Sequence, residues 1–208
     1  MLLSLVDSLR CPAHVEEAPL VLAVETWAGP RVAEGVLGCP VCHARYAIHR
    51  CTVDFTQGQG SVRRPSATSE GQSLRLAAQL GLSEPGGILL LTGRHAYTYD
   101  ALASVVEVTC ILVDGAETTS ANAVNFLLQD RLPFNDGVLR GAAVDEPRAI
   151  EPFFADVVRC LGERGRLVAP VRSAIPRGVR VIARDDREWV GEVVDLTQPL
   201  QLRRAAKP

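Results

Sequence analysis

The fold is decided by residues 88–114, which read ILLLTGRHAYTYDALASVVEVTCILVD. Two continuously apolar runs, at 88–91 and 108–113, are typical of strands that are covered on both faces. Residues 98–106 can form a helix between them, so the stretch predicts a strand, a helix and a second strand. Such a connection favours two parallel strands in one sheet.

The same alternation continues towards the end of the chain. A stripe of apolar side chains at helical spacing runs from Ile150 to Leu161 and is closed by Gly162. Residues 118–128 are ambiguous between one helix and a short helix with a strand. The other predicted elements are strands at 141–144 and 166–171 and a hairpin of 179–183 with 189–194. Together they predict a mostly parallel, Rossmann-like α/β sheet that ends in an antiparallel hairpin.

Composition changes divide the chain into parts. Residues 56–68 (TQGQGSVRRPSAT) are polar and lack periodicity, as in a linker. After them Ser69–Gln72 form a capping-box pattern that starts a helix reaching Gly81. The predicted division is a metal-binding part at 1–55, a linker at 56–68, an α/β domain at 69–197 and a polar tail at 198–208.

The first part holds two knuckles with metal-ligand spacing. Cys11-Pro-Ala-His14 and Cys39-Pro-Val-Cys42 each direct two ligands towards one point, which is typical of a closed, structural zinc site. A hairpin of residues 20–24 and 31–37 leads to the second knuckle, as in a zinc ribbon. A redox pair of Cys39 and Cys42 is the alternative. Three further residues could replace a ligand, namely His43, His49 and Cys51.

The segment around these knuckles resembles a small zinc-ribbon family. Leu2–Pro12 and Gly38–Phe55 are similar to bacterial ribbon proteins and to the eukaryotic activator subunit of tRNA and release-factor methyltransferases. His14 stands where the family usually has a second Cys, and Ala47 where Pro is common. The resemblance implies a stabilising or partner-binding module, with residues Leu20, Leu22, Val24 and Trp27 as its expected contact surface or its own small core.

Residues 69 to about 195 resemble class I S-adenosylmethionine-dependent methyltransferases. The resemblance rests on the order of elements, on Leu132-Pro-Phe-Asn-Asp-Gly137, and on Arg159-Cys-Leu161 followed by Gly165-Arg-Leu167. It implies a cofactor site after the first strand, with Gly93 in the loop and Asp114 placed to bind ribose hydroxyls. Asp114 can equally be a polar residue that ends its strand.

The expected cofactor loop departs from the family pattern. The family has an acid and a glycine-rich turn there, whereas this chain reads Leu91-Thr-Gly-Arg-His-Ala96 and keeps Gly93 alone. Arg94 and His95 add side chains where bare backbone is needed. The family's carboxylate before the Leu-Pro-Phe motif would fall on Leu128, and its later Phe-Asp reads Leu139-Arg140. We therefore predict that S-adenosylmethionine does not bind.

Other chemically interesting residues have structural interpretations. Asp145 and Glu146 could act as a general base, but acids are also favoured at the start of a helix. His95 could exchange protons, although a loop histidine is more often exposed. Cys110 and Cys160 lie in apolar segments, which favours buried, inert thiols over nucleophiles.

Overall composition narrows the function classes. The 208 residues have a net charge of −2 and 47% apolar content, which indicates a folded protein without the basic character of a nucleic-acid binder. No segment has the length of a membrane span, and residues 1–10 lack the pattern of a signal peptide, so a cytoplasmic protein is expected. The prediction is a non-catalytic interaction or regulatory protein, with a protein partner or self-association through the ribbon. An active methyltransferase with an atypical cofactor loop is the alternative.

Overall fold

The computed structural model describes residues 1–14, 18–59, 70–115, 118 and 120–194. Its strands are β1 (Val21–Ala28), β2 (Arg31–Gly38), β3 (Arg45–His49), β4 (Thr52–Asp54), β5 (Ile88–Thr92), β6 (Thr109–Val113), β7 (Ala123–Leu127), β8 (Leu139–Ala143), β9 (Leu161–Pro170), β10 (Val179–Arg184) and β11 (Glu188–Val193). Its α-helices are α1 (Glu70–Leu80), α2 (Tyr99–Val105) and α3 (Phe153–Cys160). Three 3₁₀ helices span Leu3–Ser8, Gly93–Thr98 and Glu146–Arg148.

All eleven of these strands form one sheet, in the order β1-β2-β3-β4-β7-β6-β5-β8-β9-β11-β10. The strands from β4 to β9 along this order pair in parallel, and the strands beyond each end pair antiparallel. The order reverses between β5 and β8, which makes their carboxyl ends the topological switch point of a doubly wound sheet. The predicted fold class is therefore confirmed, including the terminal hairpin of β10 and β11.

The two faces of the sheet are covered by different parts of the chain. Leu89 and Leu91 of β5 face a core that includes Leu80 of α1 and Leu102 of α2. Leu90, the residue between them, faces a second core that contains the apolar side of α3 and the N-terminal segment. Alternate residues of one strand thus reach opposite cores, which explains why the strand is apolar throughout. None of the helices in the described ranges is long and apolar enough to cross a membrane.

The ribbon strands are part of this same sheet. Val53 of β4 pairs with Phe126 of β7, and Asp54 pairs with Leu127. Leu9 forms a β-bridge with Phe134, so the N-terminal segment also contacts the α/β part. The division at 56–68 stays a prediction, and residues 60–69 and the tail at 198–208 lie outside the described residues. The two main parts nevertheless share one sheet and one core.

Several predicted elements change in extent. The helix predicted to reach Leu161 ends at Cys160 because β9 begins at the next residue. β9 is also longer than the predicted strand at 166–171. The ambiguous segment 118–128 contains the strand β7, whose five residues are all buried. A strand with both faces covered has no alternation, which is why its pattern did not distinguish it from a helix.

Candidate functional site

The four predicted metal ligands lie together in the fold. Cys11 and His14 follow the first 3₁₀ helix, and Cys39 and Cys42 form the turn between β2 and β3. Their ligand atoms all lie within 4.8 Å of one another. The fold therefore brings both knuckles to a single point.

The geometry of this cluster fits a tetrahedral metal ion. The Sγ atoms of Cys11 and Cys42 are 3.8 Å apart, which is the separation that two Zn–S bonds of about 2.3 Å produce at a tetrahedral angle. His14 Nε2 is buried and has no hydrogen-bond partner among the residues that the structure describes. A buried ring nitrogen without a partner is costly unless a ligand satisfies it. Three thiols and one imidazole are a donor set that zinc prefers.

The thiols of the cluster are in different electrostatic environments. Burial raises the pKa of Cys11. Burial also acts to raise the pKa of Cys39, but hydrogen bonds from the backbone N–H groups of Cys42 and Val41 outweigh it and bring the pKa to about 7. Since the thiolate is the metal-binding form, Cys39 is better prepared than Cys11 to bind near neutral pH.

The other candidate ligands lie outside the cluster. His43 is exposed, and His49 Nδ1 lies 2.9 Å from Glu34 Oε2. Cys51 is buried but is not among the clustered residues. None of these three residues therefore lies where it could replace one of the four clustered side chains.

A row of aromatic rings joins the metal cluster to the parallel part of the sheet. Tyr46 Oη lies 3.2 Å from Cys11 Sγ, and the Tyr46 ring lies 4.8 Å from that of Phe55. Phe55 lies 5.4 Å from Phe126, which stacks on Phe134 at 5.7 Å. Sequence reasoning did not find this row because its members come from distant parts of the chain. It makes the cluster continuous with the main core.

The second candidate site is the crevice at the carboxyl ends of β5 and β8. It is a cleft of about 260 Å³ whose walls include Gly93, Asp114 and Arg148. Ligand pockets usually have about 300–1,000 Å³, so this cleft is at or below the lower limit. Both predicted cofactor-binding residues, Gly93 and Asp114, line it.

Asp145, which lies two residues after the end of β8, covers Gly93. Gly93 has a φ of +54°, and a Cβ placed on it would lie 2.5 Å from Asp145 Oδ2. The Asp145 carboxylate accepts hydrogen bonds from the N–H groups of Arg94 and Glu146, both at 2.9 Å. Its own N–H donates to Thr92 Oγ1. Asp145 thus caps the 3₁₀ helix Glu146–Arg148, as predicted for an acid at a helix start, and also occupies the glycine loop.

Asp114 is paired with Arg148, a residue that sequence reasoning did not identify. Arg148 Nη2 and Nε donate to Asp114 Oδ2 at 2.5 Å and 3.1 Å. The guanidinium also donates to the carbonyl oxygens of Leu128 and Gln129 and lies 5.4 Å from the centroid of the Phe153 ring. The carboxylate that could bind a ribose is therefore already bound within the chain.

The side chains of Arg94 and His95 were expected to obstruct the cofactor loop. Neither residue is among those that line the crevice. Arg94 Nη2 donates to Glu188 Oε1 at 2.9 Å, and His95 Nε2 lies 3.4 Å from the same oxygen. His95 is buried rather than exposed, which corrects the sequence-based expectation. Burial lowers its pKa, and the neighbouring Glu188 carboxylate only partly offsets that effect. Glu188 on β11 thus contacts both side chains, and Arg94 Nε also lies 3.7 Å from Asp145 Oδ1.

The two remaining cysteines are enclosed in the core. Cys110 and Cys160 are both completely buried. Burial raises the pKa of each thiol to about 12, so neither is a thiolate near neutral pH. This environment agrees with the prediction of inert thiols.

Comparison with known proteins gives structural likenesses of low identity. No family model matches the sequence, and no curated protein matches it. The chain is similar to a geranyl diphosphate methyltransferase solved in complex with SAM, at 19% identity and a TM-score of 0.40, over 48% of each chain. It is also similar to the [4+2]-cyclase SpnF, at 14% identity and a TM-score of 0.42, over 57% of this chain and 53% of that one.

A third likeness covers more of both chains. It is to a protein from Methanococcus maripaludis described as S-adenosyl-L-methionine-dependent methyltransferase, at 11% identity and a TM-score of 0.47, over 63% of this chain and 86% of that one. The likeness to the geranyl diphosphate enzyme spans about half of that enzyme's length. Likenesses with TM-scores below 0.5 do not assign an activity.

Proposed function

We propose that this chain is a non-catalytic interaction protein in which one zinc ion stabilises a methyltransferase-like sheet with a closed cofactor crevice. The observation that carries the proposal is the turn at residues 145–148. Asp145 at its start covers Gly93, and Arg148 at its end binds Asp114. One short turn thus occupies both of the places at which the resemblance located cofactor contacts.

The energetic balance supports a closed crevice. A cofactor that used Asp114 would have to displace Arg148, whose hydrogen bonds to a carboxylate are each worth about 1.5–3 kcal/mol. The incoming ribose would regain a similar amount at most, so this contact gives little net affinity. Asp145 would have to leave the glycine loop as well, which breaks two more charge-assisted hydrogen bonds.

The first prediction concerns this crevice. Calorimetric titration of the zinc-loaded chain with S-adenosylmethionine is expected to show no binding in the micromolar range. The matched variant Asp114→Ala is expected to give the same flat titration, because Asp114 is not available in the parent protein. Micromolar binding by the parent protein that is weakened in Asp114→Ala would support the active methyltransferase instead.

Zinc is proposed as the ion of the Cys11, His14, Cys39 and Cys42 cluster. The closed set of four protein ligands supports a structural role, because it leaves no position for a reacting water. Tyr46 is placed to support Cys11 from outside the coordination shell. In this role the ion holds the N-terminal segment and the turn after β2 together.

The proposed interaction surface is the outer edge of β1, which pairs only with β2 among the strands of the described residues. Val21 and Trp27 are more than half exposed there, and Val24 is partly exposed. Leu20 and Leu22, which the ribbon resemblance also suggested as contacts, instead pack in the core. Edge strands are commonly protected by charged residues, yet β1 carries only Glu25, at the position of a bulge.

The occupant proposed for this edge is β1 of a second copy of the chain. Antiparallel pairing about a two-fold axis near Val24 would bring exposed apolar residues together without placing Glu25 opposite its own copy. A two-fold pairing also closes into a dimer rather than a filament. The opposite edge, β10, carries Arg180 and Arg184, so its self-pairing would bring like charges together.

The second prediction tests this edge. Light scattering after gel filtration is expected to show a concentration-dependent dimer, and the double change of Val24 and Trp27 to Ser is expected to weaken it at least tenfold while zinc is retained. Ile182→Ser on β10 is the matched control, because that side chain is 42% exposed and should leave the dimer unchanged. A parent protein that stays monomeric at high concentration would contradict the choice of occupant, and filaments would point to pairing of β1 with β10.

A further inference from the structure

The contacts of Arg148 define a pocket shaped for a guanidinium group. The carboxylate of Asp114 accepts from Nε and Nη2 of the guanidinium. The carbonyl oxygen of Leu128 also accepts from Nη2, and that of Gln129 accepts from Nη1. The ring of Phe153 lies against the guanidinium, at 5.4 Å from its central carbon to the ring centroid. A planar cation with several in-plane donors uses all of these contacts at once.

None of the groups that form this pocket belongs to the turn that carries Arg148. Asp114 follows β6, Leu128 and Gln129 follow β7, and Phe153 begins α3. The sheet and α3 position these groups independently of residues 146–148. The pocket is thus a part of the scaffold, and Arg148 occupies it as a ligand attached to the chain.

We propose that this pocket is a guanidinium-binding site, with Arg148 as its tethered internal ligand, and that occupancy of the pocket keeps the crevice closed. This inference rests on the proposed function, because it assumes a closed crevice and names the contact that closes it. A tethered side chain has a high effective concentration at its site, so a free guanidinium compound does not compete with Arg148 at moderate concentration. When Arg148 is shortened, the same compound binds in its place.

Charge and shape both select this ligand class. An ammonium group is a compact point charge and does not reach the carboxylate and both carbonyl oxygens in one plane. A phosphate or carboxylate ligand would meet the Asp114 carboxylate and the two carbonyl oxygens, which repel it. Asp114 and Arg148 retain only 24% and 21% of their side-chain exposure, so water screens the pair incompletely.

The test is chemical rescue of Arg148→Ala by ethylguanidinium chloride, followed by thermal unfolding of the zinc-loaded chain. The variant is expected to melt below the parent protein and to recover with saturable dependence on ethylguanidinium. At ten times its dissociation constant the ligand should raise the ratio of folded to unfolded protein about elevenfold. Ethylammonium chloride at equal concentration controls for salt and should give no recovery.

Two control proteins complete the experiment. The double variant Asp114→Ala, Arg148→Ala should show no rescue, because the central carboxylate of the pocket is gone, and the parent protein should show none because Arg148 holds the site. If Arg148→Ala does not fold alone, its refolding yield in ethylguanidinium against that in ethylammonium provides the same comparison. Equal recovery with ethylammonium, or no recovery of Arg148→Ala with ethylguanidinium, would overturn the inference. S-adenosylmethionine binding by the parent protein is a separate outcome that bears on the proposed function.

Discussion

Loss of the zinc ion is expected to unfold the whole described sheet and not only its ribbon strands. β4 pairs directly with β7, and the ring of Phe55 lies between Tyr46 beside the metal cluster and Phe126 in the parallel strands. A structural zinc site contributes about 10–16 kcal/mol in small zinc-dependent peptides. A domain of this kind has a total stability of about 5–15 kcal/mol. The free energy lost when the ion is removed is therefore similar to, or larger than, the total free energy of unfolding.

The measurement combines metal analysis with amide hydrogen exchange. The parent protein should contain one zinc per chain, and Cys39→Ser should lose both the metal and the protection of amides in β5 and β6. Cys51→Ser is the matched control, because Cys51 is a buried cysteine outside the metal cluster. Loss of protection in residues 1–55 alone would show that the two parts do not depend on a shared core. Isolation of iron instead of zinc would contradict the choice of metal.

The predicted linker at 56–68 would by itself favour the opposite outcome, in which residues 1–55 unfold alone. A polar, aperiodic segment does predict a flexible connection, but it carries no information on whether the flanking parts pack together. In the structure, Phe55 N–H donates to the carbonyl oxygen of Leu127, so contact begins before the linker is reached. The expectation for zinc removal changes for that reason.

Replacement of Trp189 by Ala is expected to have the largest effect of any single substitution outside the metal cluster. Trp189 is completely buried, packs on Phe154 at 6.2 Å and donates from Nε1 to Ser173 Oγ at 3.0 Å. Such a truncation in a core costs about 3–5 kcal/mol through lost burial and the cavity that remains. It would use a large part of the total stability.

The chain contains a matched control for this change, because Trp27 is its only other tryptophan. Trp27 is 54% exposed, so Trp27→Ala should change the stability of the monomer by no more than about 0.5 kcal/mol. Urea unfolding followed by circular dichroism at low protein concentration measures both variants. Similar midpoints for the two variants would contradict the placement of Trp189 in the core.

Most elements and the cluster of Cys11, His14, Cys39 and Cys42 could be predicted because their signals are local. Two residues between ligands define a knuckle, and the stripe from Phe153 to Cys160 defines a helix face. The end of α3 could not be predicted in the same way. Leu161 continues the helical spacing, but it is buried instead as the first residue of β9. One apolar residue can satisfy either pattern, and tertiary pairing decides between them.

The contacts that close the crevice have no local signal. Asp114 and Arg148 are 34 residues apart, and Arg94 and Glu188 are 94 residues apart. Only the strand order brings each pair together, and a single sequence does not specify that order. The prediction that the cofactor loop is unsuitable rested on Arg94 and His95, whereas the structure shows the crevice occupied by Asp145 and Arg148.

The pairing of β4 with β7 also sets the order in which the molecule can be completed during synthesis. Asp54 cannot pair in the sheet until its partner Leu127 has been synthesised. At translation rates of about 5–20 residues per second, the roughly 70 intervening residues take about 4–14 seconds to emerge. During this interval the ribbon strands have no neighbour on that edge, while Cys11, His14, Cys39 and Cys42 have all been made. Early capture of zinc would hold the nascent ribbon in shape until the parallel strands have been synthesised.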